Sequence, residues 1–148
     1  MSMIVTAILS TQIGRSAHGI IECEQLIEEI LDTEHLGWET LLAVGDVEFY
    51  RDRSGPYPNH QLRVSVSPKN GVAALSYTDH DDPALSIANS HNPDGSSPAI
   101  DLVFNGDTRA IFPRSALIPI SLARAALTEW LTTRSRPTCI EWVPYDEY

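Results

Sequence analysis

Leu62, Val64 and Val66 alternate with Arg63, Ser65 and Ser67, the period-two pattern of a strand with one apolar face. Pro68-Lys69-Asn70-Gly71 follows as a turn, and residues 72–77 return as a second strand. A chain that contains this hairpin has a sheet face to bury, and two helical stretches can cover it. In residues 22–34, Leu26, Ile27, Ile30 and Leu31 fall on one stripe, with acids on the remaining positions and Gly37 as a stop. In residues 120–133, Leu122, Ala123, Ala126, Leu127, Trp130 and Leu131 form a second stripe. Pro119 stands at its start, and Arg134-Ser135-Arg136-Pro137 breaks it.

Further strands are expected at residues 4–9, at 41–50 with a break at Gly45-Asp46, at 84–88, at 100–105 and at 138–143. Residues 10–21, 52–59, 78–83 and 89–98 read as polar connections, and residues 144–148 as a short tail. Strands in succession, outside a strictly alternating βαβ order, predict an α+β fold: an antiparallel sheet of about six strands with two helices packed on one face. A length of 148 residues predicts a single domain, 1–148, with a core large enough to need neither disulfide nor metal. Cys23 and Cys139 stand alone in the sequence. The apolar run around Cys139 predicts a buried, structural thiol. The N-terminus has no basic segment before an apolar run, and no stretch approaches the 18–20 apolar residues of a span. A cytoplasmic, non-membrane protein is expected.

Charge narrows the function classes. Acids outnumber Lys and Arg by 20 to 10, for a formal charge of −10. Nucleic-acid binders need a basic footprint, and anionic lipid repels such a chain. The surplus suits solubility, and it also suits electrostatic steering toward a basic protein surface. It is unevenly spread. Residues 22–52 hold ten acids and one base, and residues 70–108 hold six acids and none. Residues 109–136 hold five arginines (Arg109, Arg114, Arg124, Arg134 and Arg136) against Glu129. Two readings follow. The acid-rich zones form a face for a basic groove, or they pair with the arginines inside the fold, where exposed pairs contribute only about 0–1 kcal/mol each.

Under the first reading the contact candidates are Asp79, Asp81 and Asp82 from the acidic turn, with Glu28 and Asp32 from the first helix. Trp142 and Tyr145, beside Asp146, Glu147 and Tyr148, are candidate anchors, since Trp and Tyr are enriched at interface hot spots. The alternative for these aromatics is to fold back and cap the sheet edge.

No pattern for chemistry stands out. Asp79-His80-Asp81-Asp82 is the densest set of oxygen and nitrogen ligands, but it lacks the glycine and distal glutamate of a calcium loop and reads as a solvated turn. A Cys139–His pair is conceivable as a nucleophile, yet no nucleophile elbow, phosphate loop, dinucleotide fingerprint or zinc motif accompanies it. The expectation is no enzyme, no catalytic residues, no metal and no cofactor.

Several segments, in order, resemble actinobacterial members of immunity protein family one. They are Met3-Ile4-Val5-Thr6, the acidic first helix, Gly71-Val72-Ala73-Ala74-Leu75-Ser76-Tyr77-Thr78-Asp79, Phe112-Pro113-Arg114-Ser115-Ala116-Leu117-Ile118-Pro119, Ala125-Ala126-Leu127-Thr128-Glu129-Trp130-Leu131 and, most specifically, Arg136-Pro137-Thr138-Cys139-Ile140-Glu141-Trp142. The chain departs from the family after the acidic turn, where Leu85-Ser86-Ile87-Ala88-Asn89-Ser90-His91 replaces the usual Trp and Gly. The resemblance implies an α+β antitoxin of a polymorphic toxin system. Such a protein needs no cofactor and occludes a cognate toxin encoded nearby, often a nucleic-acid deaminase. It is expected as a monomer or weak homodimer. The alternative is a small homodimeric regulator or scaffold that pairs through an exposed strand edge.

Overall fold

The computed structural model describes residues 2–51, 53–94 and 98–145. Asp146, Glu147 and Tyr148 lie outside the described residues.

The chain opens with β1 (Ile4–Ile8), β2 (Gly14–His18), α1 (Gly19–Leu31) and β3 (Thr40–Gly45). The hairpin follows as β4 (His60–Ser67) and β5 (Val72–Asp79), joined by a 3-10 turn at Pro68–Asn70. Gly71 closes that turn at φ 71°, a left-handed conformation that glycine adopts without a Cβ penalty. Next come β6 (Ile87–His91), β7 (Val103–Asn105), β8 (Ala110–Ile111), β9 (Ile118–Pro119), α2 (Ile120–Thr133) and β10 (Glu141–Pro144). One antiparallel sheet runs β10-β6-β5-β4-β3-β1-β2, with β9 paired to β5, and β7 and β8 form a separate two-stranded ribbon. The expected α+β fold is present, with more strands than the sequence suggested.

The hairpin register explains the sorting of side chains. Leu62, Val64 and Val66 stand opposite Tyr77, Leu75 and Ala73, and this row faces the helices. Leu26, Ile27, Ile30 and Leu31 of α1 and Ala123, Ala126, Leu127, Trp130 and Leu131 of α2 pack onto it, all buried. Both helices therefore lie on one face. They run antiparallel, tied by the Glu28–Arg124 pair near the end of α1 and the start of α2.

The polar side of β4 is not open to water. Ser65 and Ser67 are buried, because residues 100–117 fold back over β4, β5 and β6 as a second layer. Leu102, Phe104, Phe112, Ala116 and Leu117 pack there against Val72 and Ala74. Polar bonds pin this layer. Ser65 Oγ donates to Val103 O, Ser90 Oγ donates to Ala116 O at 2.7 Å, and Arg63 donates to Phe104 O at 2.8 Å. Arg63 also pairs with the buried Glu39, whose other oxygen accepts from Gly106 N at 3.2 Å. Trp38 packs so closely on Gly106 that a Cβ there would stand 2.4 Å from the indole.

Several boundaries differ from the sequence reading. Residues 14–18 form an edge strand, and α1 spans Gly19–Leu31 instead of residues 22–34. Glu34 is drawn out of the helix to accept from Ser67 Oγ at 2.9 Å and Lys69 N at 2.7 Å. Cys139 is exposed, and the buried thiol is Cys23. No helix among the described residues is long and apolar enough to cross a membrane.

Candidate functional site

The sequence candidates divide between two ends of the sheet. Asp79 is opposite His60 at the start of β4, and His80 N donates to Asn59 O at 2.9 Å. The tail of α1 is anchored at the far end of the same strand, where His35 N donates to Val66 O at 2.9 Å. The eight residues of β4 span roughly 23 Å at the usual strand rise. Asp79, Asp81 and Asp82 therefore sit at one end of the sheet, and Glu28 and Asp32 at the other. The structure does not bring these two groups together.

At the first end, the acids organise their own turn. Asp79 Oδ1 accepts from Asp81 N at 2.9 Å, and Asp82 Oδ1 accepts from Ala84 N at 3.1 Å and Leu85 N at 3.2 Å. Asp81 accepts from the Asn59 amide, and Asp82 also pairs with Arg136 at 3.3 Å. Tyr145 lies at this same end, its N–H donating to Ile87 O at 2.9 Å beside the Thr78–Ile87 pair. Its ring stacks on Phe104 at 5.3 Å. Trp142 lies on the opposite face of β10, against the helix-side core. Its indole N–H donates to Pro137 O at 2.7 Å, and its ring meets the edge of Tyr77 at 6.4 Å. Both aromatics are half-buried and close the sheet edge.

At the second end, Arg124 holds Glu28 bidentately at 2.8 and 3.0 Å, and these bonds depress the Glu28 carboxyl below its ordinary range. Asp32 caps the C-terminus of α1 through its backbone, and its side chain is exposed. Four of the five arginines in residues 109–136 pair with acids of the two acid-rich zones: Arg114–Asp101, Arg124–Glu28, Arg134–Asp46 and Arg136–Asp82. Internal pairing thus consumes part of the charge that the sequence offered as a surface. Asp32, Asp79 and Asp81 form no ion pair with a Lys or Arg among the described residues, although Asp32 lies in the field of Arg124 and Asp79 in that of His60.

Cys139 is free and exposed, but it has the wrong electrostatics for a nucleophile. Partial burial, then the Glu129 carboxylate beside it, push the thiol up and favour the protonated form. Glu129 itself accepts from Thr138 N at 2.6 Å and Cys139 N at 3.1 Å, fixing this segment to α2.

Sequence reasoning missed a cavity of about 400 Å³ between the start of α2, the end of β6 and the approach to β10. Asp94 and Glu141 line it, with no Lys or Arg among the described residues. The available signal was the absence of any base from residues 70–108 and again after Arg136.

Neither sheet edge is a good template for adding a strand. On β10, the Tyr145–Ile87 bond sets the alternation so that Trp142 and Pro144 turn their backbones outward, and Pro144 has no N–H. On β2, Gly14, Ser16 and His18 turn outward, and the His18 N–H is already taken by Glu22 Oε1 at 3.0 Å.

No curated protein matches the chain. Residues 13–144 match the family described as Immunity protein Imm1, from β2 to the end of β10, so both helices, the central hairpin and the second layer fall within the match, and the chain belongs to the Imm1 immunity protein family.

Proposed function

We propose that this protein is the immunity partner of a toxin in a polymorphic toxin system, and that it acts in the cytoplasm by binding the toxin and occluding its active site. Family membership over residues 13–144 carries the reading. A nucleic-acid deaminase is the favoured toxin class. Its substrate is a polyanion, so its active-site groove is basic. A chain of formal charge −10 is drawn to such a groove and then held by contact. Occlusion is a binding function and asks for no catalytic group and no cofactor.

The fold supports docking through side chains over pairing through strands, because both sheet edges are blunted. This also weighs against a homodimer built on an open edge. The acidic candidates support two docking faces. One is the turn with Asp79, Asp81 and Asp82, flanked by Tyr145 and, behind it, Trp142. The other is the end with Glu28 and Asp32.

Charge reversal separates them. Asp79→Lys with Asp81→Lys, and independently Asp32→Lys, are compared for affinity toward the polypeptide encoded by the adjacent gene. The face that docks loses on the order of tenfold at 0.15 M salt and less at 1 M. Unchanged affinity in both folded variants rejects acidic docking at these positions.

A further inference from the structure

Resting on the reading above, we propose that the cavity between α2 and β10 receives a lysine or arginine side chain of the toxin, making it the specific anchor of the complex.

The first observation is shape. At about 400 Å³ the cavity is at the small end of ligand sites, large enough for one or two side chains but small for a cofactor. It sits on a rigid frame. One wall is β6 with β10, registered through the His91–Glu141 pair, and another is the start of α2, where Ile120 N donates to Gly71 O at 3.2 Å. Glu129 holds the third wall by its bonds to Thr138 and Cys139.

The second observation is chemistry. Leu117 gives a buried apolar floor, and Leu122, 43% exposed, and Ile140 give an apolar lip. Asp94 and Glu141, both exposed, also line the cavity. A cavity lined by apolar carbon and by two exposed carboxylates suits the two parts of a lysine or arginine, an aliphatic stem and a cationic head. Arginine is also enriched among interface hot spots. The first turn of α2 faces the cavity and carries about half a positive charge, which is outweighed by two full carboxylates. By contrast, a similar concavity of about 410 Å³ over β1 and β2 sets Arg15 and Arg51 against Glu48 and has no such bias.

The site extends the second docking face, since Gly71 and the start of α2 mark the same end of the sheet as Glu28 and Asp32. It therefore favours that face over the Asp79 turn.

Cys139 supplies a built-in reporter. It lines the cavity and is exposed, whereas Cys23 is fully buried, so a thiol reagent at about pH 8.5 reads Cys139 selectively. The experiment measures binding of the adjacent-gene polypeptide to the wild type, to Glu141→Arg and to Leu122→Asp, together with the Cys139 labelling rate, free and bound. Both substituted positions are exposed, and circular dichroism verifies the fold. The expected result is wild-type binding, labelling slowed about tenfold or more in the complex, and affinity about a hundredfold lower for Glu141→Arg. Wild-type binding with Glu141→Arg unaffected and Cys139 equally reactive in the complex overturns the cavity and leaves the immunity reading intact. Absence of wild-type binding, with the polypeptide toxic and unrelieved, overturns both.

Discussion

The two layers that cover this sheet are held in different ways. On the helix side, α1 and α2 lay continuous apolar stripes on Leu62, Val64, Val66, Leu75 and Tyr77, and Trp130 fills the centre with no exposed surface. On the other side, residues 100–117 bring a smaller cluster around Phe104 and Phe112, whose rings meet at 5.2 Å, and the layer depends on polar pins from Arg63, Ser65, Glu39 and Ser90. Apolar burial is non-directional and tolerates repacking, whereas a buried pin fails when one partner is lost. The helix layer thus sets global stability, and the second layer sets the position of the chain that leads through Leu117 into the cavity.

Three perturbations break or sharpen this contrast. The largest effect is expected from Trp130→Ala. Removing this fully buried indole leaves a large void, and about 3–5 kcal/mol is lost, read as a shift of the urea midpoint without selective loosening of residues 100–117. Glu39→Ala comes next, at about 2 kcal/mol. It leaves Arg63 and the Gly106 N–H without their partner, and amide exchange accelerates first at Phe112, whose N–H donates to Leu102 O at 2.8 Å. An effect spread evenly over both layers contradicts the assignment.

The smallest effect is pH-dependent and belongs to the helix side. His60 stacks on Tyr77 and meets Trp130 edge-on, each at 6.1 Å, and its Nε2 accepts from Val44 N at 3.4 Å. His35 is bonded to Thr33 O and Thr40 Oγ1, each at 2.8 Å. Burial holds both rings below the ordinary imidazole value. For His60, Asp79 opposes that shift and Arg134 adds to it; for His35, bonding to Thr33 and Val66 and the charges of Glu34 and Glu39 oppose it. Well above about 6.5 both states are neutral and the histidines are silent. As pH falls through about 6.5 the unfolded chain takes up protons that the folded chain refuses, so stability declines toward the lower folded values. Urea midpoints at pH 8, 7, 6 and 5 check this, and His60→Asn flattens the slope. A midpoint that rises between pH 7 and 5 contradicts it.

The same contrast explains what was legible in the sequence. The hairpin and α2 were readable because their periodicity records which side is buried, and α2 begins and ends where the sequence placed it. β2 was not, since Gly14, Arg15, Ser16 and His18 are exposed and only Ala17 is buried. β6 was read as entering a loop at Asn89, because Asn89 and Ser90 are polar. Both are buried, with Ser90 Oγ accepting from Leu75 N at 2.9 Å and bonding the second layer. In the second layer the alternation at residues 100–105 marked a strand that forms only over Val103–Asn105, while the two-residue β8, a 3-10 turn and irregular chain carry no period. Among the candidate contact residues, the acids were visible as a surplus. Their partition between ends of the sheet and their partners, Arg124 for Glu28 and Arg136 for Asp82, arise from tertiary contacts that no local pattern encodes.

The most direct test of the central claim is co-expression of this chain with the polypeptide encoded by the adjacent gene. The account predicts that the polypeptide alone arrests growth, that this chain restores it, and that the two co-purify at 0.15 M salt. A toxic neighbour that is neither bound nor neutralised would contradict it.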